Sequence, residues 1–178
     1  MNNSDYTAVC FGEILWDILP DVRLPGGAPM NVAYHLNHLQ VPAAMISRVG
    51  NDPLGAELLQ FISSKGLDTS FILKDEAHDT GTVLATLNGN NVSYEIIQPV
   101  AWDFIQYSMH LQRLVASARY FIFGSLVARN EKSRQTLFEL LETAPYKILD
   151  INLRKPHYEK KVLEYLLQHA DMLKLNAD

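Results

Sequence analysis

Apolar runs and helical-period patterns alternate along most of the chain. Residues 6–11 form a mainly apolar run closed by Gly12, which is typical of a strand buried on both faces. Pro29 then stands where the first turn of a helix accepts proline, and apolar residues follow at helical spacing until Pro42. The pattern therefore predicts a strand and then a helix as the first unit of the fold.

The strand-helix unit recurs farther along the chain. Residues 43–49 predict a strand, and Asp52-Pro53 predicts the cap and first turn of a helix that ends at Lys65-Gly66. The remaining predicted elements are strands at residues 120–123, 147–153 and 172–175, a helix capped by Asn130 and a helix around residues 162–167. This alternation predicts an α/β fold in which helices flank a mostly parallel sheet.

Two segments, at about residues 17–25 and 80–99, break this rhythm. Residues 82–87 and 92–98 are strand-like and are joined by Asn88-Gly89-Asn90-Asn91, which favours a hairpin because Asn and Gly tolerate positive φ. Residues 18–24 are a third extended candidate. We predict that these three strands form a small β-sheet lid within one domain over residues 1–178.

Composition and charge narrow the classes of partner. The formal net charge is −5, from 20 acidic and 15 scattered basic residues, which argues against nucleic acid because phosphate backbones require clustered Lys and Arg. No apolar run approaches the roughly 18 residues that a membrane span needs, and the polar start at residues 1–5 does not resemble a secretion leader. Cys10 is the single cysteine, so no intrachain disulfide is available. We expect a cytoplasmic protein without a membrane or nucleic-acid partner.

The segment from Gly26-Gly27 to Asn31 carries the clearest chemical pattern. Paired glycines let the backbone approach a ligand closely, and the helix that follows directs unpaired amides toward that point. Asn31 adds a donor and an acceptor suited to a polyhydroxylated ligand. The chain contains neither a P-loop motif nor a GxGxxG motif after a strand, which counts against P-loop enzymes and nicotinamide dehydrogenases.

This segment resembles the first signature of the ribokinase-like (PfkB) carbohydrate kinases, in which Gly-Gly and a small residue precede a helical Asn. Further segments resemble the family in the same order, and the last three are similar to its fructokinase branch. They are Phe11-Gly12-Glu13 with Asp17, residues 47–55, Thr80-Gly81, residues 94–103, residues 124–131 and residues 150–154. The resemblance implies a ribokinase-like fold whose C-terminal part is missing from this chain.

The resemblance also implies roles for individual residues. Asp17 would accept hydrogen bonds from sugar hydroxyls, with Gly26, Gly27 and Asn31 completing the sugar site. The family positions near the sugar or the transferred phosphate correspond to Arg129, Asn130, Arg154 and Asn176, of which the last two would lie on the phosphate and nucleotide side.

The activity implied is ATP- and magnesium-dependent phosphorylation of a sugar hydroxyl, with fructose converted to fructose 6-phosphate. The alternatives are a kinase for another sugar, a keto-deoxy sugar acid or a nucleoside, and a non-catalytic module that binds sugar or dimerises. The family's late Gly-Ala-Gly-Asp, which supplies the catalytic base, does not occur in these 178 residues. We therefore expect this chain to hold no catalytic residue and to be inactive by itself. Family members often pair through their lids, which implies a homodimer.

Aromatic and histidine side chains leave two further questions. Trp102 and Tyr94 are candidates either for substrate contact or for packing. His35 and His38 are three residues apart on a predicted helix, but no third ligand stands at metal spacing, so we interpret them as structural and predict no metal ligand in this chain.

Overall fold

The computed structural model describes residues 6–88 and 91–176. The strands are β1 (Ala8–Phe11), β2 (Leu15–Ile18), β3 (Arg23–Gly26), β4 (Ala43–Gly50), β5 (Ile72–Asp75), β6 (Gly81–Asn88), β7 (Asn91–Ile96), β8 (Tyr120–Gly124), β9 (Lys147–Asp150) and β10 (Met172–Lys174). The helices are α1 (Ala28–His38), α2 (Pro53–Ser64), α3 (Met109–Ser117), α4 (Glu131–Leu141) and α5 (Lys160–His169), with 3-10 turns at Ala101–Phe104 and Leu126–Arg129.

The main sheet has six strands in the order β10-β9-β8-β1-β4-β5, and every neighbouring pair is parallel. β1 lies near the centre, where Val9 stands between Ala44 of β4 and Phe121 of β8. The predicted α/β fold with a mostly parallel sheet is confirmed.

Helices cover both faces of this sheet. The side chains of β1 point alternately into the two cores that these helices form with the sheet. Val9 and Phe11 point into a core shared with α3, α4 and α5, whereas Ala8 and Cys10 point into a core shared with α1 and α2. Successive side chains of a strand point to opposite faces, so a strand with helices on both sides must be apolar throughout. This is why the sequence of β1 shows no alternation of polar and apolar residues.

The small sheet has four strands in the order β3-β2-β6-β7. β2 pairs antiparallel with β3 and parallel with β6, and β6 pairs antiparallel with β7, so that Asn88 faces Asn91. The predicted hairpin is confirmed, while Gly89 and Asn90 of its loop lie outside the described residues.

The prediction of one strand over residues 18–24, and hence of three strands in this sheet, is wrong. The segment contains the end of β2, a turn at residues 19–22 and the start of β3. The Leu19 amide closes the turn by donating to the Val22 carbonyl oxygen at 2.9 Å. Pro20 and Asp21 are turn-forming residues, because proline presets φ and aspartate hydrogen-bonds locally.

Both predicted helix caps are confirmed. The Asp52 carboxylate accepts from the Gly55 amide at the start of α2, and the Asn130 side chain accepts from the Lys132 amide at the start of α4. The strand predicted over residues 147–153 ends at Asp150, because Asn152 takes a positive φ of 24°. Among the described helices, none is long and apolar enough to cross a membrane.

Candidate functional site

A cleft of about 580 Å³ opens where the carboxyl end of β1 meets the start of α1 and the small sheet. Its walls include Glu13, Asp17, Gly27, Asn31 and Arg154. Ligands of open α/β sheets bind beyond the carboxyl ends of the strands, so the cleft lies where this fold places its sites.

Asp17 reaches the cleft from β2, and Gly26 of β3 makes room for it. A Cβ atom on Gly26 would lie 2.4 Å from Asp17 Oδ2, so any larger residue would displace the carboxylate. Burial raises the pKa of Asp17 above its ordinary value, while the nearby positive charge of Arg154 acts in the opposite direction. Asp17 therefore offers acceptor oxygens beside a guanidinium group.

Gly27 fixes the start of α1 against the loop that follows β1. Its φ is 115°, and a Cβ atom there would lie 2.3 Å from the Glu13 carbonyl oxygen. The conformation and the close approach both require glycine. One turn later Asn31, whose amide donates to the Gly27 carbonyl oxygen at 2.9 Å, lies exposed in the cleft wall. Three of the predicted sugar-site residues, Asp17, Gly27 and Asn31, thus line one cleft.

Glu13 is a buried residue of the cleft that the sequence analysis did not select as a site residue. Only 3% of it is exposed, and its Oε1 accepts from the Ala28 amide at 3.2 Å. Its Oε2 is buried without a hydrogen-bond partner in the described part of the chain. Burial raises the pKa of Glu13 to about 7, against the opposing effect of the backbone amides of Glu13 and Ala28. The available signal was an acidic residue separated by one glycine from a wholly apolar strand.

Arg154 and Asn176 lie on the side of the cleft formed by the segments that follow β9 and β10. Arg154 is exposed and lines the cleft. Asn176 donates through Nδ2 to Asn152 Oδ1 at 3.3 Å, and Asn152 itself lines the cleft. Asn176 is therefore one side chain removed from the cleft.

The structure does not bring Arg129 and Asn130 to this cleft. The Arg129 side chain is 3% exposed and holds Asp103 through Nε and Nη2, each at 2.8 Å. Nη2 also donates to the Ile97 carbonyl oxygen at 2.8 Å, and the guanidinium lies 3.9 Å from the centroid of the Trp102 ring. Arg129 borders a separate cavity of about 130 Å³, and Asn130 caps α4.

The two aromatic residues considered for substrate contact, Trp102 and Tyr94, lie in different environments. Trp102 is fully buried in the core, whereas Tyr94 is 67% exposed and lines the cleft. His35 and His38 are exposed on α1, where both rings contact Tyr34. Over residues 6–88 and 91–176, no group of three or more His, Cys, Asp or Glu side chains is arranged to hold a metal ion.

Proteins of known sequence and structure resemble this chain closely. It is 34% identical to the putative sugar kinase PH1459 of Pyrococcus horikoshii, over 94% of this chain and 60% of that protein. It is 30% identical to the fructokinase of Escherichia coli, over 94% of this chain and 59% of that protein. The chain thus spans about three fifths of the length of these relatives.

Solved structures give the same result for the fold. The Pyrococcus horikoshii sugar kinase in complex with ATP matches with a TM-score of 0.80 at 31% identity, covering 93% of this chain and 62% of that one. The fructokinase of Vibrio cholerae with bound fructose, ADP and calcium matches with a TM-score of 0.79 at 25% identity, covering 96% of this chain and 60% of that one. The ribokinase-like fold is confirmed, with the C-terminal part of the relatives' fold outside this chain.

The sequence profile of the family described as pfkB family carbohydrate kinase matches residues 21–178. That match includes the Gly-Gly segment, β3 and every later element, and so it covers most of the cleft. This match shows that the chain belongs to the pfkB family of carbohydrate kinases.

Proposed function

We propose that the protein phosphorylates a sugar hydroxyl with ATP, and that its substrate is fructose, converted to fructose 6-phosphate. The observation that carries the proposal is the cleft in which Asp17, Gly27 and Asn31 meet. A carboxylate offers only acceptors, and an asparagine offers both donors and acceptors, which suits a neutral ligand rich in hydroxyls. Gly26 contributes by leaving room for the Asp17 carboxylate.

The proposal that ATP is the phosphate donor rests on structures of similar proteins. One of them was crystallised with ATP and another with fructose and ADP. Arg154 and Asn176 lie toward the β9 and β10 side of the cleft, and a guanidinium group suits a phosphate. We propose that Mg²⁺ arrives with the nucleotide phosphates, so no residue of this chain is assigned to it. We assign no direct sugar contact to Arg129 and Asn130, which hold Asp103 and cap α4 away from the cleft.

The catalytic aspartate belongs, in this proposal, to sequence outside these 178 residues. Phosphoryl transfer depends on positioning and on charge stabilisation, and the Gly-Ala-Gly-Asp segment that would supply both is not in this chain. The chain by itself is therefore proposed to be inactive, although its cleft retains the side chains for sugar binding.

The small sheet is proposed to act as a lid and as the surface of a homodimer. Its strands and the turn between β2 and β3 expose large apolar side chains, which favour association. They are Val22, Leu24, Leu84 and Tyr94, between 37% and 67% exposed. A cytoplasmic location completes the proposal, since the single cysteine suits a reducing compartment.

The test is a substrate panel with the intact gene product, ATP and magnesium, in which ADP release is measured for each sugar. We expect the fastest release with fructose. A preference for ribose, adenosine or a keto-deoxy sugar acid would contradict the substrate while leaving the kinase activity. Sugar binding without ADP release from any substrate would instead indicate a non-catalytic module.

A further inference from the structure

Only one of the two carboxylate oxygens of Glu13 has a hydrogen-bond partner among the described residues. Oε1 accepts from the Ala28 amide at 3.2 Å and so braces the start of α1. Oε2 is as deeply buried but has no partner among the described residues. Buried polar atoms are nearly always hydrogen-bonded, and an unpaired carboxylate oxygen costs free energy. The hydrogen bond to the Ala28 amide therefore explains the burial of Oε1 but not that of Oε2.

The position of Glu13 in the cleft wall points to a bound ligand as the missing hydrogen-bond donor for Oε2. The residue lines the cleft together with Asp17 and Asn31, so a ligand in the cleft lies next to Glu13. The Gly27 backbone lies close to the Glu13 carbonyl oxygen, where a Cβ atom would come within 2.3 Å of it. A fixed acceptor with a free oxygen is suited to a donor brought by the ligand.

We propose that Glu13 is a further sugar-binding residue, whose Oε2 accepts a hydrogen bond from a hydroxyl of the bound sugar. The inference rests on the proposed function, because it takes the ligand to be a sugar. It adds an acceptor at the end of β1 to the one that Asp17 offers from β2.

The protonation of Glu13 gives the inference a second consequence. With a pKa of about 7, the carboxyl group is partly protonated near neutral pH. Asp150, at the end of β9, raises the pKa and Arg129 lowers it, while Asp17 and Arg154 line the same cleft. A hydroxyl that donates to Oε2 stabilises the ionised form, so the pKa falls on binding. Sugar binding should therefore release a fraction of a proton at pH 7.

The first experiment is calorimetric titration of the intact gene product and its Glu13→Gln variant with fructose. Glutamine keeps an oxygen for the Ala28 amide but can present an NH₂ donor in place of Oε2. The Kd for fructose is expected to rise about ten- to hundredfold, as for a lost hydrogen bond to a charged group. Glu139→Gln is the matched control, since Glu139 is exposed on α4 and lies outside the cleft wall, and its Kd should be unchanged.

The second experiment measures the binding enthalpy of the unaltered protein at pH 7 in two buffers of different ionisation enthalpy. A difference that corresponds to proton release is expected, and its absence would overturn the inference even if the Glu13→Gln variant does not fold. A folded Glu13→Gln variant that binds fructose as tightly as the unaltered protein would also overturn it, while the proposed function stands. If the unaltered protein binds no sugar of the panel, the proposed function fails and the inference fails with it.

Discussion

Two side chains from different elements define the predicted sugar contacts. Asp17 is held half-buried on β2 opposite the space left by Gly26, whereas Asn31 stands exposed one turn into α1. Both line the cleft, but neither takes part in the packing of the main sheet. Substitutions at these positions should therefore affect ligand binding more than folding.

Asp17→Ala and Asn31→Ala are each expected to weaken fructose binding about ten- to hundredfold, because each removes hydrogen bonds worth about 1.5 to 3 kcal/mol in the closed site. Nucleotide affinity should change little. Calorimetric titration of the intact gene product with fructose and with ATP measures both. Asp21→Ala, in the exposed turn between β2 and β3, is the control that should change neither. Unchanged fructose affinity in either cleft variant would show that the residue is only part of the scaffold.

At the scale of elements, one carboxylate joins the main sheet to the small one. Asp52 caps α2 and also accepts from Thr80, through Oδ2 from its amide at 2.7 Å and through Oδ1 from its hydroxyl at 2.8 Å. Thr80 immediately precedes β6. Burial alone would raise the pKa of Asp52, but the hydrogen bonds from Thr80 and Gly55 outweigh it, and the pKa lies below its ordinary value.

Asp52→Ala is expected to lower the free energy of unfolding by about 3 kcal/mol, as the sum of a lost cap and lost bonds to Thr80. Asn130→Ala is the comparison, because Asn130 caps α4 by a single bond and should cost about 1 kcal/mol. Urea denaturation measures both. The contribution of Asp52 is present above its unfolded pKa and is lost as the pH falls through its lower folded value, whereas that of Asn130 does not vary with pH. Equal costs at neutral pH would contradict this account.

The sequence predicted elements best where a single rule was decisive. Proline in a first turn marked α1, Asp52 and Asn130 marked two caps, and Asn-Gly marked the hairpin. β2 and β3 were merged because both are short and the turn between them still contains Leu19 and Val22. β5 and α3 were not predicted, since half of the β5 residues are polar and α3 is short, with polar residues between its buried leucines.

The candidate site was predicted less completely than the fold. Gly27 and Asn31 follow from a local motif and Asp17 from the family resemblance, and the structure places all three along one cleft. Arg129 could not be placed from sequence, because its burial depends on Asp103, Trp102 and Ile97, which are distant along the chain. Glu13 escaped notice for the same reason, since its unpaired oxygen is visible only when α1 is packed against the loop.

At the scale of the whole molecule, the β10 edge of the main sheet is open to solvent. β10 is exposed along its length, and large apolar side chains are exposed in this strand and near it. They are Leu153, Met172, Leu173 and Leu175, between 39% and 61% exposed. An exposed apolar edge strand is a template for pairing with another chain.

The 178-residue chain, prepared alone, is expected to associate through this edge. Light scattering should give a mass above the 20.1 kDa of one chain. Leu173→Lys combined with Leu175→Lys should shift the mass toward the monomer, because a charge at an edge opposes strand pairing. Leu39→Lys, at a position 71% exposed on another part of the surface, should leave the mass unchanged. A monodisperse monomer without any substitution would contradict the prediction.

The reactivity of the single cysteine can be used to measure how often the main sheet opens. Cys10 is fully buried in β1, with β4 on one side and β8 on the other, and burial raises the pKa of its thiol to about 12. Only the thiolate reacts readily with disulfide reagents, so the native protein protects this sulfur both sterically and chemically. Fraying of β10 leaves it protected, because β9 and β8 lie between β10 and β1. Labelling of Cys10 therefore counts the rare events in which the centre of the main sheet comes apart, and it does not respond to loosening of the β10 edge.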